Sequence, residues 1–386
     1  MSDTLKIVTL PGDGIGIEVM REGRKLLDAA LETCGLRSSV EEIEGGGQYY
    51  LKHGTRDWPE GAEEKCAAAD VIFLGAVGWP DPKTGGPVTM ANGKMAGYGP
   101  VIGNRVALEL YANVRPVKLY PGVTHRIHDQ RKQVWEAGKV DITFVRENTE
   151  GLYSGIGGYV KNEGRRIVAI DNRIITRPNA ERVIRHAFEI AKKRPTGAPV
   201  DGKRRVTAIV KDNVLDGCRF FRDIFFEIAR DYPGIEAETS IVDAFTQWLI
   251  AKPEWYQVCV TTNMFGDIVT DLASVLQGGM GMAVGCNVGD RHAMFEPIHG
   301  SAPKHSGKDR ANPFAMILAV KEGLVWVGEK KKLGDLVRVA SKIEDAVASI
   351  IADGKPLTYD LAGEKNAAKA SEVGNAVRER FLKLAR

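Results

Sequence analysis

The chain has 386 residues, a hydrophobic share of 44% and a formal net charge of +3. That length accommodates two domains or one large α/β unit with a sizeable core. A balance so near neutral excludes the strongly basic footprint of a nucleic-acid or anionic-membrane binder.

In chain order, residues 5–10 read as a buried strand that leads through Pro11-Gly12-Asp13-Gly14 into a helix over 16–30. Residues 70–74 form a second apolar strand, and residues 80–100, rich in Gly, Pro, Lys and Asn, read as a mobile surface loop. Strands follow at 141–145, 205–210 and 257–261, helices at 178–192 and 220–230, and a second loop at 194–203. Helices over 313–328 and 332–351 complete the set. Short apolar runs alternating with helical patterns predict an α/β fold. The spacing G-D-G-I-G after the first strand is wrong for G-x-G-x-x-G, so that turn is read as structural or cleft-lining rather than as a Rossmann loop. Cys34, Cys66, Cys218, Cys259 and Cys286 are scattered without C-x-x-C spacing, which argues against a disulfide framework or a zinc site and fits a reducing cytosol. No apolar run is long enough to span a bilayer and no leader pattern precedes residue 5, so a cytoplasmic location is expected.

Chemistry concentrates in a few constellations. Asn263-Met264-Phe265-Gly266-Asp267-Ile268-Val269-Thr270-Asp271 puts two carboxylates four residues apart at a helix start, hence on one face. Asn263 reads as the N-cap and Gly266 as room for a close approach. Paired oxygen ligands suit Mg²⁺ or Mn²⁺; an acidic first turn that complements the helix dipole has the same pattern. Arg105, Arg115 and Arg146 are guanidinium forks that would together suit a di- or tricarboxylic acid, the alternative being three unrelated ion pairs. Lys211 ends a strand in Val210-Lys211-Asp212-Asn213 and is either a proton carrier or a lysine laid along the surface. Tyr153, in Glu147-Asn148-Thr149-Glu150-Gly151-Leu152-Tyr153, is either a proton donor to an enolate or a packed aromatic. Residues 296–313 are small, basic and hydrogen-bonding, which suits a nucleotide with phosphates or a plain solvated loop.

From Leu10-Pro11-Gly12-Asp13-Gly14-Ile15-Gly16 to Thr358-Tyr359-Asp360-Leu361 the chain resembles the isocitrate/isopropylmalate dehydrogenase family of β-decarboxylating dehydrogenases, its motifs standing in family order. The resemblance implies an α/β fold that is not Rossmann. A discontinuous large domain, 1–110 and 278–386, would carry the nucleotide-binding loops. A central small domain, 111–277, would carry the dimer interface, a clasp, and the metal and catalytic residues. It implies metal-dependent oxidative decarboxylation of a 3-substituted (2R)-malate to a 2-oxoacid and carbon dioxide, with reduction of NAD(P)⁺, by a homodimer with shared active sites. The metal ligands would be Asp267 and Asp271, with Asp243 from the other subunit. Substrate would meet Arg105, Arg115 and Arg146, with Val101, Ile102 and Asn213 beside it. Tyr153 and Lys211 would be catalytic, the lysine reaching across the dimer interface. Coenzyme would meet Glu296, His299, Gly300, Ser301, Ala302, Lys304, His305 and Asn312, joined by Lys252 and Tyr359.

Two departures from family patterns bear on specificity. NAD-using members place an aspartate after Gly-Ser-Ala-Pro; here Lys304-His305 follows, close to the Lys-Tyr of NADP-using isocitrate dehydrogenases, although Gly363 replaces a further arginine. The expected coenzyme is NADP, with NAD the alternative. Gly99 and Val101 stand where isocitrate-specific enzymes have serine and asparagine, and Val101-Ile102 resembles the apolar pair of isopropylmalate dehydrogenases. The run Arg146–Tyr153 resembles the isocitrate and homoisocitrate versions instead, and Lys94 in the 80–100 loop could recognise a charged substituent. Isocitrate, homoisocitrate, tartrate and D-malate therefore stay open as substrates. A non-catalytic regulatory subunit is the less favoured alternative, since such subunits usually lose the tyrosine, the lysine or the metal aspartates, and all of these are present.

Overall fold

The computed structural model describes residues 4–386, and the chain divides into two compact units. One comprises residues through Leu110, Tyr120–Glu136 and Gln277–Arg386; the other comprises Tyr111–Leu119 and Ala137–Leu276.

In the first unit, Leu5–Leu10 pairs in parallel with Ser38–Glu42 on one side and Val71–Leu74 on the other. Ala293–Pro297 continues the sheet in parallel, and Val284–Val288 adds an antiparallel strand. Alternate side chains face opposite ways. Val8, Leu10, Ile72 and Leu74 pack on Trp58, Ala62 and Cys66. Phe73 and Phe295 meet the helix Phe314–Lys330 so closely that a Cβ on Gly323 would strike the Phe73 ring. Burial on both faces is why these strands read as unbroken apolar runs. The helices Ile15–Thr33 and Gly334–Asp353 pack on Phe314–Lys330, and Ala370–Leu384 packs on both of those. This last helix buries only Val373, Val377 and Phe381 among its larger apolar side chains, a stripe narrow enough to escape a pattern search.

The turn after the first strand is a structural junction. The Asp13 carboxylate, fully buried, accepts from the amides of Gly47, Gln48 and Gly78 at 2.9, 2.8 and 2.8 Å. Residues 80–100, expected as a mobile surface loop, are mostly exposed through 81–95 yet fold back on themselves. Ala96 donates to the Val88 carbonyl at 2.8 Å, and both residues are buried. Tyr120–Glu136, expected in the central domain, clusters with the first unit for a visible reason. Arg131 donates to the carbonyls of Tyr359, Asp360 and Leu361 at 2.8, 2.6 and 2.6 Å, and the Tyr120 hydroxyl donates to Glu344 at 3.1 Å.

In the second unit the strand order is Glu236–Ile241, Arg205–Val210, Val258–Thr261, Asp141–Glu147 and Ala112–Lys118. The first four are parallel and the last is antiparallel. The helices Arg177–Lys193 and Asp216–Ala229 bring Val183, Phe188, Phe221 and Phe225 onto Val206, Ala208 and Val260. A separate hairpin, Gly157–Asn162 with Arg165–Asp171, is exposed at every residue. Among the described residues no helix is long and apolar enough to cross a membrane.

Candidate active site

Sheet register gathers the charged residues of the second unit. Arg146 stands opposite Thr261 on one side and Asn113 on the other. The helix Asn263–Ser274 follows strand Val258–Thr261 after one residue, so it begins beside Arg146. Thr262, with extended φ −72° and ψ 164°, is the N-cap, and Asn263 is the first helical residue rather than the predicted cap. The Asn263 side chain serves the arginine instead. Its Oδ1 accepts from Arg146 Nε and Nη2 at 2.9 and 2.7 Å, and its Nδ2 donates to the Glu150 carbonyl at 2.9 Å.

The close approach expected at Gly266 is made by Arg146 itself: a Cβ there would lie 2.5 Å from Arg146 Cγ. Arg146 is only 2% exposed and has little freedom to give way. Gly266→Ala is therefore expected to lower stability by about 1–3 kcal/mol and to weaken binding of a carboxylate substrate. Denaturant unfolding checks the first effect and KM the second; wild-type values for both would refute the contact.

Arg146 Nη1 pairs with Asp267 Oδ1. Arg115 donates through Nε to Asn113 Oδ1 and through Nη1 to Thr270 Oγ1, each at 2.6 Å. Its Nη2 lies 3.3 Å from Asp267 Oδ1 and its Nη1 lies 3.5 Å from Asp271 Oδ1. A buried guanidinium needs a counter-charge and filled hydrogen bonds to repay its desolvation, yet the side chains of Asp267 and Asp271 remain 38% and 53% exposed. They present oxygens outward while holding the arginines inward.

Tyr153 Oη donates to Asp267 Oδ2 at 3.0 Å. Burial, then the Asp267 charge, raises the phenol above its ordinary range, so it stays protonated at neutral pH. Burial also raises the Asp271 carboxyl, against the pull of Arg115 and with the push of Asp267. The loop that carries Tyr153 is fixed by the Glu150 carboxylate, which accepts from Thr176 N, Thr176 Oγ1 and Asn179 Nδ2, each at 2.8 Å. Asn113, Thr270 and Glu150 were not singled out in the sequence. Asn113 shares the face of Arg115, two residues away on Ala112–Lys118, a strand whose broken apolar run gave no signal in the sequence.

Lys211 and Asp243 form a second group in this unit, with Nζ 2.6 Å from Oδ1. That bond holds the Asp243 carboxyl below its usual range. Asn213 is exposed just beyond Lys211. Lys252 lies with Nζ 5.0 Å from the Trp248 ring centre. Among the described residues no three His, Cys, Asp or Glu side chains are grouped to hold a metal ion, so Asp243 does not join Asp267 and Asp271 within the chain.

The first unit carries the other candidates. Arg105 Nη2 donates to Glu296 Oε1 at 2.9 Å while its Nε is buried without a hydrogen-bond partner. Val101 and Ile102 are half-buried on the helical turn Gly99–Gly103. A Cβ at Gly99 would lie 2.9 Å from Trp58 Nε1, so a serine there would force the indole to move.

A cleft of about 440 Å³ is lined by Gly281, His299, Gly300, Ala302, His305, Asn312 and Tyr359, among others. His305 stacks on Tyr359 with ring centres 5.6 Å apart. Asn312 Nδ2 donates to Asp360 Oδ2 at 2.8 Å. Burial lowers the His299 imidazole, keeping it neutral. Ser301 is turned to structure, its hydroxyl donating to the Gly78 carbonyl. Lys304 is exposed on the turn Pro303–His305.

Residues 6–377 match the family described as isocitrate/isopropylmalate dehydrogenase. The homoisocitrate dehydrogenase of Methanocaldococcus jannaschii is 39% identical over 97% of this chain and 96% of that protein. The decarboxylating D-malate dehydrogenase of Escherichia coli is 34% identical over 98% of each. A crystal structure of isocitrate dehydrogenase from Methylococcus capsulatus superposes with a TM-score of 0.82 and 34% identity, covering 98% of this chain and 99% of that one. The chain belongs to the isocitrate/isopropylmalate dehydrogenase family. It has that family's mixed α/β fold, and it is an NAD(P)-dependent β-decarboxylating dehydrogenase of the class that acts on 3-substituted malates. As an oxygen donor set, Asp267 and Asp271 fit a hard divalent cation such as Mg²⁺ or Mn²⁺ in a member of this family.

Proposed function

We propose that this enzyme oxidises and decarboxylates a (2R)-malate with an apolar C3 substituent, using NADP⁺ and Mg²⁺ or Mn²⁺, as a homodimer whose active sites draw on both subunits. The observation that carries the proposal is the convergence of Arg115, Arg146, Asp267, Asp271 and Tyr153 within one unit. Arg115 and Arg146 would hold the substrate carboxylates bidentately. Asp267, Asp271 and the partner's Asp243 would hold the cation, which supplies Lewis-acid stabilisation to the oxygen at C2. Lys211 would relay the hydroxyl proton as hydride leaves C2 for the nicotinamide. The bond from C3 to its carboxylate then breaks, carbon dioxide departs, and its electron pair passes into the enolate. Tyr153, protonated in its resting state, gives its proton to C3.

Two features support a shared site. Lys211 and Asp243 stand together, away from any three-carboxylate group among the described residues, as a pair that a partner could receive as one unit. The exposed hairpin bears Tyr159, Val160, Ile167, Val168 and Ile170, an apolar ribbon suited to a second copy. We place the protein in the cytoplasm, in keeping with its free cysteines.

For the substrate, the crowding of Gly99 by Trp58 disfavours the serine that a polar C3 group would use, and Val101 packs with the apolar cluster below it. A buried carboxylate without partners is costly. A second reading, with a carboxylate on the C3 substituent, draws on Lys94, whose Nζ lies 3.9 Å from the Tyr98 ring centre. Purified protein given Mn²⁺, NADP⁺ or NAD⁺ and a panel of 3-substituted malates decides between them. Strong isocitrate preference that survives Lys94→Ala would refute the apolar pocket.

For the coenzyme, Lys304 stands beside Ala302 and His305, which line the cleft. A charge-assisted contact to the 2′-phosphate is worth roughly 1.5–3 kcal/mol. Lys304→Ala should therefore lower the NADP⁺/NAD⁺ ratio of kcat/KM by about tenfold or more, and Lys304→Asp further because it repels the phosphate. A wild-type ratio well below one would refute the NADP reading.

A further inference from the structure

Arg310 belongs to none of the groups assigned above, yet it packs on a ring that lines the coenzyme cleft. Its guanidinium carbon lies 4.3 Å from the centre of the Tyr359 ring, and that ring lines the cleft. Its backbone amide is tied to Glu18 Oε2 at 3.3 Å, and Asn312, two residues on, lines the same cleft. The guanidinium is poorly committed. Nε is buried with no hydrogen-bond partner, and Nη2 lies 2.5 Å from Glu364 Oε1, on a side chain that is 70% exposed. An ion pair to so exposed a carboxylate contributes little and is readily exchanged. Glu364 directly follows Gly363, so this pair sets a guanidinium beside a position that has no side chain of its own.

We propose that Arg310 is a specificity-determining contact for the 2′-phosphate of NADP⁺, leaving Glu364 for the phosphate while stacked on Tyr359. A planar fork with unused donors suits a phosphate dianion bidentately, whereas the free ribose diol of NAD⁺ requires no cation. Glu364 acts as the internal competitor: it holds the arginine in place and is displaced only by a stronger anion. This inference rests on the NADP reading above.

The test is calorimetric binding of adenosine 2′,5′-bisphosphate and of adenosine 5′-monophosphate to the coenzyme-free protein, which reads the contact without turnover. Wild type is expected to favour the bisphosphate. Arg310→Ala should weaken the bisphosphate about 10- to 100-fold and leave the monophosphate within about twofold. Arg310→Lys should recover part of the loss, and Glu364→Gln should tighten the bisphosphate by removing its competitor. If wild type favours the monophosphate, the NADP reading and this assignment fall together. If wild type favours the bisphosphate but Arg310→Ala weakens neither ligand, or both equally, the assignment alone falls. Weaker bisphosphate binding in Glu364→Gln also overturns it.

Discussion

Asp267→Asn is expected to lower kcat/KM at limiting Mn²⁺ on the order of 10³-fold, with partial recovery as Mn²⁺ is raised. The size follows from how many roles meet on one carboxylate. Oδ1 is shared by Arg146 and Arg115, and Oδ2 accepts from Tyr153. An amide keeps the shape but loses the charge. The cation would lose a ligand, Arg146 and Arg115 would each lose one carboxylate partner, and the tyrosine would face either a weaker acceptor or an amide donor. The arginines keep Asn263, Asn113 and Thr270, so the fold should survive and the loss should register as function. A Mn²⁺ titration of turnover, paired with paramagnetic-resonance measurement of bound Mn²⁺, separates the two. Turnover like wild type at low Mn²⁺ would falsify the metal assignment. Lost activity with undiminished Mn²⁺ binding would move Asp267 from ligand to arginine anchor.

The sequence carried the strongest of these features because their causes are local. Asp267 and Asp271 share a helical face whatever surrounds them. Apolar strands such as Val71–Leu74 were legible because both faces are buried. Ala112–Lys118 was not, since Asn113, Arg115 and Pro116 break its apolar run; what makes it a strand is seven-residue pairing with Asp141–Glu147. The cap was misread for a related reason. Asn263 has the right chemistry for a cap, but the buried Arg146 guanidinium claims its carbonyl oxygen and Thr262 takes the extended backbone position. The attachment of Tyr120–Glu136 to the first unit was invisible, because it rests on Arg131 finding three main-chain carbonyls more than two hundred residues away.

Tyr153→Phe and Lys211→Met are each expected to lower turnover about 10²- to 10⁴-fold, the range for removing a positioned acid or base, but at different steps. The first substitution keeps the ring on its loop and removes only the hydroxyl, so, with Tyr153 as the proposed proton donor, release of the final ketoacid should suffer more than hydride transfer. Without the Lys211 amine, hydride transfer itself should slow. The structure sharpens the second variant, because Lys211 also neutralises Asp243 at 2.6 Å. Removing it frees that carboxylate, so metal affinity should hold or rise while turnover collapses. Such a divergence would not come from general unfolding. Mixing the two inactive variants then tests where the lysine acts. If Lys211 serves the partner's site, each hybrid dimer has one site with both groups intact and one with neither. Random reassortment makes half the dimers hybrid, so roughly a quarter of wild-type activity should return. If Lys211 serves its own chain, every site lacks one group and mixing restores nothing. Recovery near a quarter, with hybrids counted by native mass spectrometry, supports the shared site; hybrids without recovery refute it and place Lys211 and Asp243 in the site of their own chain.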